Sequence, residues 1–351
     1  MAGFLATYVM LGKLAKSKGF FNIGLAYFHR WYRLVPALAY VILLCLYIFP
    51  YIISGPVGFL YRPNFMEKCN EYWWTNVLFI NNLYPWHFSD ECLGWTWYLG
   101  NDFDFFIITP FILLVMHKSK LMGLLLNTIL ILGSIAAGMA VTYAFNFTLP
   151  SSDPDFDTEY YGKPWCRLAA YEVGVLLAQL YYDRKLYLSG RLDAENTLGN
   201  RIFALYKNSA LFSWTSAVIG VVLTTFMIFI YQSALECTWG CWGIGISMVY
   251  NGFARPLFVL GMMMVLFPTF EGRLSWLRLF MANGVFKVLG RLTYCAYLIH
   301  FLVLAAYVYS INSTNYFSRD FIIIHYLGLY CLSYAGALVV SLLMEAPFLT
   351  I

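Results

Sequence analysis

Residues 118–145 read KSKLMGLLLNTILILGSIAAGMAVTYAF, and this stretch decides the fold class of the chain. After Lys118 and Lys120, no charged residue occurs from 121 to 145. A helix of about 20 apolar residues is long enough to cross the hydrocarbon core of a bilayer. Beyond the far end of the run the chain is acidic, with carboxylates at 153, 155, 157 and 159. This asymmetry is typical of a membrane helix whose basic end faces the cytosol.

The composition of the whole chain agrees with that stretch. Hydrophobic residues make up 61% of the 351 positions and charged residues 11%, whereas soluble domains carry about 25% charged residues. A net charge of +4 is too small to indicate nucleic-acid binding, so membrane lipid is the predicted partner. Similar runs predict about nine membrane helices, at roughly 2–12 (incomplete), 34–53, 98–116, 121–145, 165–182, 209–232, 246–268, 289–309 and 321–344. The sequence therefore predicts an all-α, polytopic integral membrane protein, with 1–351 as a single membrane domain.

The positive charges predict the orientation of these helices. Most of the 22 lysines and arginines fall in alternate loops, and most acids fall in the others. This pattern places the N-terminus outside, in a lumen or the exterior, and the C-terminus in the cytosol. The membrane itself, endoplasmic reticulum or plasma membrane, stays open. Two glycosylation sequons, at Asn146 and Asn312, fall in predicted outside loops. The run 246–268 is the weakest, because Asn251, Arg255 and Pro256 interrupt it.

The long predicted outside loop, 54–97, contains Cys69 and Cys92. Compartments outside the cytosol are oxidising and let disulfides persist, so we expect these two cysteines to pair. Cys237 and Cys241 also lie in a predicted outside loop, and whether they pair stays open. The chain contains no CxxC motif, and no metal site is predicted.

The first candidate binding residues are Arg30 and Arg33, at the cytosolic end of the run 34–53. They are three positions apart and therefore share a helix face. Two neighbouring guanidinium groups can bind phosphate oxygens in bidentate fashion. The simpler interpretation is that both arginines only mark topology and contact anionic lipid.

A second candidate is a polar stripe inside the run 289–309. Thr293, Tyr297 and His300 are spaced by four and three residues, which places them on one helix face. Polar groups within a membrane helix are costly unless they face a cavity or a polar partner. A histidine that only bonds to a neighbouring helix explains the pattern equally well.

Further ionisable residues lie in or beside the apolar runs. Asp102 and Asp104 enter the run 98–116 from outside; they suit either an intramembrane site or compensation of the helix dipole. Arg167 and Glu172 are close enough in sequence to form an ion pair, which would be a structural role. The chain lacks a P-loop, a GxSxG elbow, an HExxH motif and a dinucleotide fingerprint, which argues against an ATP-driven pump or a soluble-type hydrolase.

Several segments, in order along the chain, resemble the acyltransferase 3 family, and its animal branch in particular. The resemblance lies in 15–19 with His29-Arg30-Trp31-Tyr32-Arg33-Leu34-Val35-Pro36-Ala37, in the loop with Cys69, Trp73-Trp74-Thr75-Asn76, Asn81-Asn82, Cys92 and Trp95 to Asp102, in Pro164-Trp165-Cys166-Arg167, in Arg291 to His300, and in Glu345-Ala346-Pro347-Phe348.

That family consists of integral membrane enzymes that transfer an acyl group from cytosolic acyl-CoA to an acceptor. The resemblance implies that Arg30 and Arg33 grip the phosphates of CoA, and that His300 and Asp102 line the pocket. The family's first helix carries an arginine followed eleven residues later by the expected catalytic histidine, and this chain has no such pair. The resemblance therefore implies a chain shortened at its N-terminus.

Two functions remain as alternatives. The first is a membrane acyltransferase that moves an acyl group from acyl-CoA to a hydroxyl-bearing acceptor, with a histidine as general base or acyl carrier. Because the family's histidine is absent, the catalytic residue is open, with His300 and Asp102 as candidates. The second is a protein that binds or transports lipids or small apolar molecules without catalysis.

Overall fold

The computed structural model describes residues 2–17, 22–191, 194–236, 242–313 and 318–349. Within these ranges the chain is helical and contains no strand. Cys237 and Cys241, and the Lys18-Gly19 part of the family-like segment, lie outside the described residues. The α-helices in these ranges are α1 Ala2–Lys16, α2 Ile23–Tyr47, α3 Phe49–Ile52, α4 Glu67–Val77, α5 Trp97–Lys118, α6 Lys120–Ala144, α7 Leu168–Leu188, α8 Leu198–Asn208, α9 Ala210–Leu235, α10 Ile244–Phe270, α11 Ser275–Met281, α12 Gly284–Ser310, α13 Arg319–Val340 and α14 Ala346–Leu349.

The all-α membrane fold predicted from the sequence is confirmed. Among the described residues, seven helices are long and apolar enough to cross a membrane, namely α2, α5, α6, α9, α10, α12 and α13. The two other predicted spans correspond to α1 and α7. Helix α1 has 15 residues and is about 22 Å long, which is short of a bilayer's core. Helix α7 has 21 residues but carries Glu172 and a charged last turn.

The chain forms two compact units. Unit 1 comprises Met1–Phe21 and Asn101–Phe280, and unit 2 comprises Asn22–Gly100 and Met281–Ile351. In unit 1, α7 packs against α1, α6, α8 and α10, and α9 packs against α10. A buried cluster that includes Phe4, Phe203 and Phe267 joins α1, α8 and α10. The central position of α7 explains why a helix with a buried carboxyl is stable there: its polar groups face protein.

Small residues allow α9 and α10 to approach closely. A Cβ atom added to Gly220 would lie 2.5 Å from the carbonyl oxygen of Gly261, which is a clash. Close contact between backbones through glycine is a common way to join membrane helices, because burial of apolar surface contributes little inside lipid.

Helix α10 continues through the polar residues that weaken the run 246–268 in the sequence. Asn251 donates from Nδ2 to Thr142 Oγ1 of α6 at 3.0 Å. Arg255 donates to the hydroxyl of Tyr160 and lies over its ring, with Cζ 4.6 Å from the ring centroid. Pro256 lies within the helix. The polar residues of this run therefore bind neighbouring segments and do not end the helix.

In unit 2, α2 and α12 run in the same direction. Tyr294, near the middle of α12, donates its hydroxyl to the carbonyl of Leu34, near the middle of α2, at 2.7 Å. Further along both chain segments, Gly55, which follows α2, lies so close to Tyr309, near the end of α12, that an added Cβ would clash with the carbonyl there. The charge pattern predicts that both helices run from the cytosol outward, and their parallel packing agrees with that prediction. Helix α13 packs on α12.

The segment 54–97, predicted as an outside loop, folds back along α2. The hydroxyl of Tyr61 donates to the carbonyl of Cys45 near the end of α2, at 2.9 Å. By contrast, Val77 accepts from Trp31 Nε1 near the start of α2, at 3.0 Å. Those two contacts are separated by about 21 Å along the helix axis. The segment therefore reaches from the predicted outer end of α2 to its inner third.

Polar pairing makes this inward path stable. Asn76 is buried and donates from Nδ2 to the carbonyl of Cys92 at 2.9 Å and to Thr96 Oγ1 at 2.7 Å. Cys69 and Cys92 form the expected disulfide, with an S–S distance of 2.02 Å, and both are fully buried. Backbone that is not part of a spanning helix lies at membrane depth only where protein partners satisfy its polar groups.

Candidate functional site

The polar stripe Thr293, Tyr297 and His300 lines a cavity of about 420 Å³ in unit 2. The cavity lies between α12 and α13. Its remaining wall consists of Ser333 and of apolar and aromatic residues, namely Ala296, Leu304, Tyr326, Leu329, Tyr330 and Tyr334. The two interpretations of the stripe differ on this point, because a cavity favours a binding role over simple helix pairing.

The backbone fixes the tautomer of His300. Its Nδ1 lies 2.7 Å from the carbonyl oxygen of Tyr297, one turn earlier in α12. A carbonyl oxygen can only accept, so neutral His300 carries its proton on Nδ1. The lone pair is then on Nε2, and the exposed ring presents it as a base or nucleophile. Orienting one ring nitrogen through the other is how enzymes prepare a histidine for proton transfer.

The hydroxyl of Tyr297 contacts the inward-folded segment. It donates to the carbonyl of Trp95, and Trp95 Nε1 donates to the carbonyl of Leu298 at 3.2 Å. Trp95 also stacks on Phe301, with ring centroids 4.7 Å apart. The inward-folded segment thus contacts α12 at Tyr297, Leu298 and Phe301, next to His300, and limits rotation of this helix.

Arg30 and Arg33 lie on α2 in the same unit. Arg30 is half-buried and Arg33 is exposed. The neighbouring residues are fixed in place: Trp31 bonds to Val77, and the ring of Tyr32 packs edge-on against Phe348 at 5.4 Å. Because these two residues lie between the arginines, the two guanidinium groups project from a helix turn that is fixed in place.

Tyr294 and Glu345 connect the arginine turn to the cavity. Tyr294 bonds to Leu34, the residue after Arg33, and His300 follows about 9 Å further along α12. The buried carboxylate of Glu345 accepts from Cys295 Sγ at 3.1 Å and from Ser341 Oγ at 3.0 Å. The segment around Glu345 therefore fixes the middle of α12.

One wall of the cavity was not predicted from the sequence. Its tyrosines recur every four residues on α13, at Tyr326, Tyr330 and Tyr334, and so share a face. The rings of Tyr330 and Tyr334 lie 4.7 Å apart. The signal was present in the sequence as a tyrosine stripe within an apolar run, but only the packing of α13 on α12 shows which residues it faces.

Asp102 and the Arg167–Glu172 pair belong to unit 1. Asp102 lies in the first turns of α5, beside Asn101, which donates to the carbonyl of Gly162 at 2.9 Å. The expected ion pair between Arg167 and Glu172 is not formed. Arg167 Nε donates to the carbonyl of Tyr161 at 2.7 Å, and Glu172 accepts from Asn127 at 2.9 Å. Five residues on a helix turn the side chains about 140° apart, which separates the two charges.

No cluster of three or more His, Cys, Asp or Glu side chains that could hold a metal occurs in the part of the chain that the structure describes. The chemistry available in unit 2 is that of an imidazole, tyrosine hydroxyls and the two guanidinium groups of α2.

Comparison with known protein families shows which family the chain belongs to. The model of the family described as an acyltransferase domain matches residues 1–346. The chain belongs to the acyltransferase 3 family. The resemblance drawn from the motifs is therefore confirmed over nearly the whole sequence.

Two curated relatives, both from Caenorhabditis elegans, are similar to this family member. Nose resistant to fluoxetine protein 6 is 27% identical over 341 residues, covering 92% of the chain and 38% of the relative. Regulator of hypoxia-inducible factor 1 is 25% identical over 360 residues, covering 97% of the chain and 66% of the relative. The chain spans less than two thirds of the length of either relative. No solved structure matches it significantly.

Proposed function

We propose that this member of the acyltransferase 3 family transfers an acyl group from cytosolic acyl-CoA to a hydroxyl-bearing acceptor. The observation that carries the proposal is the cavity between α12 and α13, with His300 oriented at its wall. Its family and its membrane helices agree with acyl transfer at a bilayer.

In the proposed reaction, the arginine turn of α2 binds the donor. Arg30 and Arg33 neutralise the phosphates of CoA, and the planar guanidinium fork provides bidentate contacts. The cavity, lined by tyrosine, leucine and alanine, accommodates the acyl chain. A volume of about 420 Å³ falls within the usual range of ligand pockets.

His300 acts as the base in this proposal. Its Nε2 accepts the proton of the acceptor hydroxyl as the oxygen attacks the thioester carbonyl, and the thiolate of CoA then leaves and takes up that proton. The Tyr297 carbonyl holds Nδ1–H and stabilises the imidazolium that forms in between.

Donor binding is tested by measuring acyl-CoA affinity of the purified protein in detergent. Arg33→Ala should weaken binding about ten- to hundredfold, which corresponds to about 1.5–3 kcal/mol for a charge-assisted contact. Arg33→Lys should recover only part of that loss, because an ammonium lacks the fork. The control is Arg278→Ala, which removes an exposed positive charge on α11. Equal affinity in all variants would reduce the two arginines to topology signals.

The role of His300 is tested by transfer from radiolabelled acyl-CoA to membrane lipids and to added alcohols. His300→Gln should abolish transfer and leave acyl-CoA affinity unchanged. His325→Gln is a matched control, because His325 makes the same backbone bond, from Nδ1 to the Phe321 carbonyl at 2.7 Å, and does not line the cavity. Loss of transfer in both variants, or in neither, would contradict the assignment.

The second candidate function is binding or transport of lipids or small apolar molecules without catalysis. It is favoured by the exposed aromatic rim of the cavity, where Tyr326 is 66% and Tyr330 41% accessible. Saturable binding of an apolar ligand, lost when Tyr330 is replaced by alanine, together with no transfer product from wild-type protein, would favour this function.

A further inference from the structure

Unit 1 contains a row of polar side chains along the interface of α6 and α7. On α6 the residues are Lys120, Asn127 and Ser134. Successive members are seven positions apart, so all three share one helix face. On α7 the facing residues are Glu172 and Gln179, also seven apart, followed by Asp183. Contacts between the helices fix the alignment: Asn127 bonds to Glu172 at 2.9 Å and Lys120 to Asp183 at 2.9 Å.

The middle of the row holds polar atoms that no protein group satisfies. Glu172 is fully buried; its Oε2 accepts from Asn127, but its Oε1 has no hydrogen-bond partner among the described residues. The same is true of Asn127 Oδ1 and of both polar atoms of Gln179, which is 4% exposed.

Unsatisfied polar atoms are rare in protein interiors, and each costs about 1–3 kcal/mol. Three such residues in one row therefore point to a ligand that bonds to them. Water is the ligand that supplies both donors and acceptors to such a set, typically through about three hydrogen bonds each.

The two ends of the row differ. At one end Ser134 is saturated, since its Oγ donates to the Trp165 carbonyl at 2.7 Å and accepts from the Ala169 amide at 2.9 Å. At the other end Asp183 and Lys120 are 19% and 58% accessible, and charge topology predicts this end to be cytosolic. The polar groups of the row are thus satisfied at the Ser134 end and reach the accessible surface at the Lys120–Asp183 end.

We propose that this row, from Asp183 to Glu172, is a water-filled pocket in which Glu172 binds and releases a proton in exchange with the cytosol. The released proton passes to the adjacent water as hydronium, and Gln179 connects that water to the exposed end.

No charged group on the helices around α7 forms an ion pair with Glu172 in the part of the chain that the structure describes. Glu271 of α10 pairs with Arg184, and Lys120 pairs with Asp183. The other basic residues on packed helices are Lys13 and Lys16 of α1, His117 and Lys118 of α5, Arg201 and Lys207 of α8, and Arg255 of α10, together with Arg167 at the start of α7 and Lys185 within it. None of them forms an ion pair with Glu172 among the described residues. A lone intramembrane carboxyl is a functional hypothesis by default.

The test is labelling of the full chain by a lipid-soluble carbodiimide, which reacts with protonated carboxyl groups in apolar surroundings. The protein is reconstituted in one orientation in phosphatidylcholine vesicles, with the pH set separately on each face. Peptide mapping by mass spectrometry then measures modification at Glu172. Above its apparent pKa, labelling should fall about tenfold per pH unit on the Lys120 face, because the protonated fraction falls by that factor. The pH on the opposite face should have no effect.

Two variants and one internal control complete the design. Gln179→Leu should keep the fold, judged by size-exclusion chromatography, and make labelling of Glu172 independent of cytosolic pH. Glu172→Gln should remove the modified peptide. Glu271, whose two oxygens are bonded to Arg184, should stay unlabelled in every sample. Absence of label at Glu172, labelling that ignores the Lys120-face pH, or labelling that follows the opposite face would each overturn the proposal.

Discussion

The adjacent residues Asp183 and Arg184 should differ sharply in their contribution to stability. Arg184 donates from Nε and Nη2 to the two oxygens of Glu271, at 3.1 and 3.0 Å, and from Nη1 to Asn200 Oδ1 at 2.9 Å. The side chains of this pair are 5% and 6% accessible. Asp183 instead pairs with Lys120 at the surface, where the two side chains are 19% and 58% accessible.

Removing one partner of a buried pair leaves the other charge without water or counterion. Arg184→Gln should therefore lower the free energy of unfolding by about 3–5 kcal/mol. Asp183→Asn should lower it by about 0–1 kcal/mol, because exposed pairs gain little over their separate hydration. The double change of Arg184 and Glu271 to methionine should cost much less than Arg184→Gln, since apolar residues of similar size tolerate burial.

The assay is equilibrium unfolding in mixed micelles with increasing denaturing detergent, followed by tryptophan fluorescence. Wild type, the two single variants and the double variant are compared at one protein concentration. If Arg184→Gln and Asp183→Asn lower stability equally, within about 0.5 kcal/mol, then burial does not control the strength of these pairs. A double variant as unstable as Arg184→Gln would also contradict the argument.

Two further predictions concern the outer face. Replacing Cys69 by serine should cost about 3 kcal/mol of stability if loop closure dominates, and peptide mapping without reduction should recover Cys69 joined to Cys92 in wild-type protein; free thiols at both positions would refute this. Asn146 and Asn312 are exposed and predicted to lie outside, so glycosidase treatment of protein from eukaryotic cells should shift its gel mobility, and replacing both by glutamine should remove the shift. Tags in 185–200 that react in intact cells would show the topology to be inverted.

Local properties of the chain determined the membrane fold. Length and hydropathy of a run are enough to predict a spanning helix, because the bilayer demands that each helix satisfy its own backbone. The charges of the loops gave a direction for α2 and α12 that agrees with their parallel packing. Cys69 and Cys92 could be paired in advance because they share one predicted outside loop. The stripe ending at His300 was visible from its spacing alone.

Tertiary contacts decided what those residues face. The sequence predicted the segment 54–97 only as a long outside loop, without its path along α2. Its inward path depends on bonds such as Trp31 to Val77, which join residues far apart in sequence. The same reason applies to Glu172, whose nearest charged neighbour in sequence is Arg167 but whose partner is Asn127 of another helix. Periodicity assigns a side chain to a face of its helix. The helix that this face contacts is set by the packing of whole helices, which depends on residues spread over the entire chain.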